Sequence, residues 1–277
     1  MPSTRTPRSG LTTPAPELRT PPAPNTEPRT PDAELALALD PVLFLQDCLD
    51  FHPDPRQAEI ASLRAPRVIL NCTRQWGKST LTAAMAVHRA WTCPDSLTLI
   101  LSPSARQSAE FLRKAKAFVR RLGLPTRGDG DNPISLRFPN GSRVVGLPGA
   151  EATIRGFSAV SFLLIDEAAR VPDELYRAVR PMLAVANGDL WLMSTPFGKR
   201  GFFYEEWTEG SDLWSRFSVP ASECPRISPD FLEQERRALG EPWFQQEYMC
   251  QFIDSDDSLF SHDLVWSAVT PDVRPLF

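Results

Sequence analysis

Short apolar runs alternate with longer segments of helical period from about residue 33 onward. Residues 33–49 (AELALALDPVLFLQDCL) are apolar and helix-prone, interrupted at Pro41, whose ring removes a backbone donor. FHPDPRQAEI predicts a turn leading into a short helix. RVILN (67–71) has strand character, and after a polar loop STLTAAMAVHRAW carries a strong helical pattern. The order repeats with LTLILS (97–102) as strand and SARQSAEFLRKAKAFVRRLG (104–123) as helix. ISLRF and SRVVGL, joined through PNG, predict a hairpin inserted in the alternation. SFLLIDEAA (161–169) predicts a buried strand ending in acids, VPDELYRAVRPML a helix and GDLWLMST (188–195) a further strand. Strands alternating with helices predict an α/β fold with a mostly parallel sheet flanked by helices. Ligands bind such sheets at the carboxyl ends of the strands, the edge shared by the loops after 71, 165 and 193.

Composition changes this picture mainly at the amino end. Nine of the 28 prolines fall in residues 1–31, beside Thr, Ser and Arg, with no apolar periodicity. Such a stretch buries too little surface to offset its ordering entropy, so 1–31 is expected to be a disordered tail, not a targeting signal. The apolar content of the whole chain, 42% of 277 residues, is ordinary for a globular protein and favours one core, over 32–253. No apolar run reaches the roughly 18 residues that span a membrane. Cys48, Cys72, Cys93, Cys224 and Cys250 are scattered, without a C-x-x-C pair or nearby histidines, so neither a zinc site nor a disulfide framework is expected, and the compartment is expected to be intracellular. A net charge of −4 excludes a protein that coats nucleic acid, but leaves room for a local basic stripe.

Chemistry enters at CTRQWGKST (72–80), between a strand and a helix. The phosphate-loop pattern G-x-x-x-x-G-K-[ST] has Cys72 at its first glycine, while Gly77, Lys78 and Ser79 fit. Backbone N–H groups of Thr73, Arg74, Gln75, Trp76, Gly77 and Thr80 would face phosphate oxygens at a helix N-terminus. Gly77 permits close approach, Lys78 reaches the β- and γ-phosphates, and the Ser79 hydroxyl can ligate Mg²⁺. A chance G-K-S is the bland alternative, against which the strand–loop–helix context argues. Asp166 and Glu167 end an apolar strand. A carboxylate opposite the phosphate loop can hold the Mg²⁺ shell, the role expected of Asp166, and its neighbour Glu167 is the candidate to orient the attacking water. Alone, D-E at a strand end is usually solvated; the phosphate loop some 90 residues upstream shifts the balance.

The segments TRQWGKS, LLIDEAA and LMSTPFGKRGFFYEEW together resemble terminase large subunits, the ATP-driven motors that package phage genomes. The resemblance covers about residues 41–260 and explains Cys72, since that family carries an R-Q-x-G-K-[ST] form of the loop. It implies a P-loop NTPase fold of RecA/ASCE-like type. It further implies that Arg74 acts on the γ-phosphate in an arginine-finger role, that Ser194 and Thr195 before Pro196 form a coupling motif, and that Gln57 reads adenine. A solvated loop charge, a strand-ending turn and an exposed helix-start glutamine are the corresponding plain alternatives. Arg155-Gly156 in TIRGFS also resembles a family segment, with no chemistry assigned. Family members generally continue into an RNase H-like nuclease; here 254–277 resembles the linker to that domain, and Asp254, Asp256 and Asp257 are expected to be solvated turn acids. Nuclease activity is therefore not expected of this chain.

The expected function is an ATP-hydrolysing, Mg²⁺-dependent motor that moves double-stranded DNA into a capsid. By resemblance its partners are a portal protein and a terminase small subunit; it would work as a homo-oligomeric ring in the host cytoplasm, with no membrane partner. A superfamily 2-type helicase is the alternative, but it needs a second RecA-like domain with a string such as Q-x-x-G-R-x-x-R, which is missing. A prophage remnant that binds nucleotide or DNA without turnover is the other. Arg106, Arg113 and Arg120 recur at seven-residue spacing and share a helix face that either meets DNA phosphates or is simply solvated.

Overall fold

The computed structural model describes residues 30–128, 134–148 and 156–254, with Leu264 and Ser267. The proposed tail 1–31, apart from residues 30 and 31, lies outside them, as do Arg155, Asp256, Asp257 and nearly all of the proposed linker.

Seven strands form, the four central ones from apolar runs without alternation, as burial on both faces requires. They are β1 (Arg67–Cys72), β2 (Leu97–Ser102), β3 (Ser135–Arg137), β4 (Arg143–Pro148), β5 (Phe162–Asp166), β6 (Asp189–Ser194) and β7 (Trp214–Val219). One seven-stranded sheet has the order β3-β4-β2-β5-β6-β1-β7, with β3 antiparallel to β4 and all other pairs parallel. Successive side chains divide between two cores. Val68, Leu70, Leu164, Trp191 and Met193 face one, with helices α2 (Pro41–Asp47), α3 (Pro55–Ala61), α4 (Lys78–Thr92) and α5 (Ala105–Arg121). Ile69, Leu163, Ile165, Leu190 and Leu192 face the other, with α6 (Asp173–Val179) and α7 (Gly201–Thr208). Each fully buried leucine or isoleucine contributes roughly 1.5–3 kcal/mol.

The break at Pro41 separates α1 (Pro31–Leu39) from α2, and the Asp40 carboxylate between them accepts from the Val42 and Leu43 amides at 2.9 and 3.1 Å. The hairpin forms too, and β4 joins the main sheet beside β2. Two predicted elements are shorter than expected. The helix over 171–183 stops at Val179 and continues as a 3-10 turn through Leu183, because Pro181 cannot donate to an α-helical ladder. The strand over 161–169 ends at Asp166, where Glu167 turns into the left-handed region (φ 51°). Edge strand β7 and helices α7, α8 (Pro229–Leu239) and α9 (Glu241–Glu247) are not predicted by pattern. Arg106, Arg113 and Arg120 do lie exposed on α5, with Arg113 bonded to Glu110 at 2.6 and 2.8 Å.

Candidate functional site

Three strands in a row carry the site. β6 lies between β5 and β1, so its end falls between the loop after β1 and the acids ending β5. Register places Asn71 opposite Ser194 and Asp166 opposite Met193, bringing all three strand ends to one level.

The loop leaving β1 keeps its compact path through specific ties. The Thr73 amide donates to the Val219 carbonyl at 2.9 Å and its hydroxyl to the Glu247 carbonyl at 3.2 Å. Gln75 and Gly77 adopt positive φ (64° and 99°). Gly77 is needed here: its φ lies where side chains are strained, and an added Cβ would stand 3.1 Å from Gln57 Nε2. Trp76 turns its indole into the core and is fully buried. Its carbonyl accepts from Gln57 Nε2 at 3.1 Å and from the Arg226 guanidinium. Arg226 also pairs with Asp54 at 3.4 Å.

Helix α4 then begins at Lys78 with its N-terminus toward the acids, and its open amides make that end a natural anion cradle. Lys78 is nearly buried and its Nζ lies 3.3 Å from Glu167 Oε1. Ser79 Oγ donates to the Asp166 carboxylate, 3.1 and 3.3 Å from its two oxygens. Burial pushes the Asp166 carboxyl above its usual range, and the Glu167 charge adds to this; Lys78 and Ser79 oppose it. Glu167 is a non-glycine residue in left-handed backbone at the strand end, a conformation held by its surroundings. Thr80 follows in the first helical turn, its amide donating to Gly77 O at 2.9 Å. At the end of the intervening strand Thr195 Oγ1 donates to the Cys72 carbonyl at 3.3 Å, and Ser194 Oγ to the Thr195 carbonyl at 2.7 Å. The sequence-predicted residues thus converge on one rim.

Gln57 and Arg74 occupy more particular positions. Gln57 is buried, not exposed; its Oε1 accepts from the Asp54 amide at 3.1 Å in a capping box while its Nε2 braces the loop. Arg74 turns sideways to the buried carboxylate of Glu247, Nη2 lying 3.5 Å from Oε1. Arg170 reaches the same carboxylate at 3.6 Å and covers the Phe197 ring at 4.0 Å.

The family model for the terminase large subunit, T4likevirus-type, N-terminal, matches residues 69–265, which contain both the loop and the acids. The chain belongs to that family. A terminase large subunit of Thermus phage G20c is 27% identical over 252 residues, covering 78% of this chain and 52% of the relative. The chain therefore spans about half the length of the curated relatives it matches. The large terminase ATPase domain of Thermus phage P74-26 superposes with a TM-score of 0.69 at 22% identity, over 78% of this chain and all of that domain. The large terminase of HK97 bacteriophage gives 0.63 at 16% identity, over 78% and 55%. At such identities the shared property is the fold. Within this terminase fold, the residues that pattern reading missed are Glu247, Arg226, Arg170 and Asn71, whose Nδ2 donates to the Cys250 carbonyl at 2.8 Å. The only signal for Glu247 is a charge set among aromatics in WFQQEYM; isolated arginines carry none.

Proposed function

We propose that this chain is the ATPase of a viral DNA-packaging motor. One observation carries the reading: the Lys78 ammonium and the Asp166 and Glu167 carboxylates meet across a single crevice, with Lys78 Nζ 3.3 Å from Glu167 and Ser79 Oγ 3.1 Å from Asp166. In this reading the loop amides and Lys78 bind the phosphate chain of ATP, and Glu167 orients and deprotonates the attacking water. Arg74 adds positive charge toward the terminal phosphate, and Gln57, with one amide hydrogen left over, contacts adenine. Ser194 and Thr195 exchange hydrogen bonds with the loop when the terminal phosphate leaves.

The hydroxyl of Ser79 and the carboxylate of Asp166 form a hard-oxygen pair that fits Mg²⁺, which takes few protein ligands and keeps waters and phosphate oxygens. When bound, Mg²⁺ neutralises charge developing on the phosphate oxygens. A large terminase from a thermophilic bacteriophage, similar in fold, was solved in complex with ATP-gamma-S, which supports expecting a nucleotide ligand for this chain. Double-stranded DNA, a portal protein, a small subunit and further copies of this chain in a ring complete the proposal, acting in the host cytoplasm. Among the described residues no helix is long and apolar enough to cross a membrane.

Phosphate release, measured with and without double-stranded DNA on wild type and Glu167→Gln, tests the reading. Wild-type turnover stimulated by DNA without strand separation is expected, with turnover lost and ATP binding retained in the variant. Wild type that binds ATP but never hydrolyses it, with or without DNA, would make the chain a binding remnant and end the motor reading.

A further inference from the structure

The edge of the sheet opposite the crevice, where the strands begin, holds a cavity of about 360 Å³ that the roles above leave unused. It lies between the second half of α4, the segment after α3 and the first residues of β5 and β6. About 20 Å of helix separates Lys78, at the crevice end of α4, from Thr92 on the cavity wall. Its volume is that of a small-molecule site, and such sites combine an apolar lining with a few placed polar groups.

The apolar part is made by Met85, Phe162 and Trp191, all nearly buried, with the two rings meeting edge to face at 5.4 Å. A thioether beside ring edges favours a flat aromatic guest, which gains oriented contacts beyond the area it buries. The polar groups divide by what already holds them. Arg89 pairs with Asp189, donates to the Ser161 carbonyl at 3.2 Å and lies over the Phe162 ring at 5.2 Å. His88 donates through Nε2 to the Leu37 carbonyl at 3.1 Å. Burial pushes its imidazole below the usual range and the Arg89 and Arg64 charges add to this, against the Leu37 bond and Asp40, so the ring is neutral at neutral pH. Arg64 is different. It is exposed on the cavity wall, its Nη2 donates to the Leu39 carbonyl at 2.7 Å, and among the described residues no carboxylate pairs with it. A guanidinium without a counter-charge, beside an apolar cavity, keeps donors for an anion.

We propose that this cavity binds a small aromatic acid, its flat ring against Met85, Phe162 and Trp191 and its carboxylate on Arg64. The site stands apart from the crevice and does not depend on the nucleotide reading. Ring and acid are both required: the ring supplies buried area, and Arg64 selects an anion over a neutral isostere.

The test titrates the full chain by calorimetry with 2-naphthoate and with its neutral carboxamide, in the absence and presence of saturating ATPγS. Wild type should bind the acid at one site with a Kd of about 0.1–1 mM, as expected for a ligand of this size, and the carboxamide about ten-fold more weakly. Arg64→Gln, at an exposed position, should weaken the acid about ten-fold and leave the carboxamide unchanged. Thr92→Trp, which places an indole in the cavity, should abolish binding of both; if that variant fails to fold, Ser62→Trp, at an exposed position on the same wall, should do the same. ATPγS should leave the affinity for the acid unchanged. No saturable binding to wild type, equal losses of acid and carboxamide in Arg64→Gln, or binding that survives both tryptophan variants would overturn the proposal. Displacement by ATPγS would overturn it too, because the probe would then sit in the crevice, and would leave the functional reading intact.

Discussion

The rim of the sheet and the helical arm formed by α8 and α9 both bring residues to the crevice, by different physics. On the rim, Lys78, Ser79, Asp166 and Glu167 follow strands whose backbones are laddered to their neighbours and whose side chains, such as Leu70, Ile165 and Leu192, are wholly buried. Moving one of them means disturbing the core. In the arm, α8 buries no residue and leaves Phe231, Leu239 and, on α9, Trp243 partly exposed. Its apolar anchor is the small cluster of Ala221, Phe244 and Tyr248. Polar ties do the rest: Glu247 to Arg74 and Thr73, Gln246 to Gly198, and Arg226, ahead of α8, to Trp76. A rim set by burial is rigid, while an arm set by hydrogen bonds and ion pairs responds to any anion that competes for them.

The sharpest way to break this contrast is Lys78→Ala. It removes the cation beside Glu167 on the rigid side, and phosphate release should fall by about three orders of magnitude, or roughly 4 kcal/mol of transition-state stabilisation. A loss of less than about ten-fold would mean that the rim is not where phosphate binds. Next comes Trp76, whose indole ties the loop to the core. Trp76→Ala should cost about 3–5 kcal/mol in urea unfolding. The indole N–H is buried without a hydrogen-bond partner, so Trp76→Phe removes an unsatisfied donor along with some volume and should cost under about 1.5 kcal/mol. Equal losses from the two changes would show that the N–H is satisfied and that volume alone does not hold the loop.

What could be read from sequence divides along the same line. Rim residues are local to strands with strong apolar patterns: RVILN and FLLID announce themselves, and a loop or acid at their ends inherits a position from parallel-sheet topology. Glu167 was legible as a strand-end acid, but not its left-handed backbone. Arm residues owe their positions to contacts far apart in sequence. Nothing around Arg226 or Glu247 is periodic, and a seven-residue helix such as α9 gives too few positions for a pattern. Strand β7 was missed because its residues Trp214–Val219 (WSRFSV) alternate weakly, Ser215, Arg216 and Phe217 being half-buried at the sheet edge. Gln57 was legible as a helix-start residue and, by resemblance, as a candidate adenine reader, but not its burial, which comes with the return of the chain at Trp76 and Arg226.

The smallest expected effect separates a tether from an ordinary surface charge within the arm. Arg226 and Arg237 are both largely exposed arginines with carboxylate partners, Asp54 at 3.4 Å and Glu233 at 2.8 Å. By stability they should look alike, each alanine variant losing less than about 1 kcal/mol, because exposed ion pairs contribute little. Nucleotide affinity should tell them apart. Arg226→Ala removes one of the two donors on the Trp76 carbonyl, and KM for ATP should rise about two- to three-fold, while Arg237→Ala should leave it unchanged. The effect is small because Gln57 still holds that carbonyl. Removing both donors, in Arg226→Ala with Gln57→Ala, should therefore raise KM by more than the product of the single effects, as expected for two groups that share one partner. Strict multiplicativity would mean that the arm does not brace the loop through this carbonyl, leaving Glu247 as its one connection to the phosphate loop through a charged side chain among the described residues.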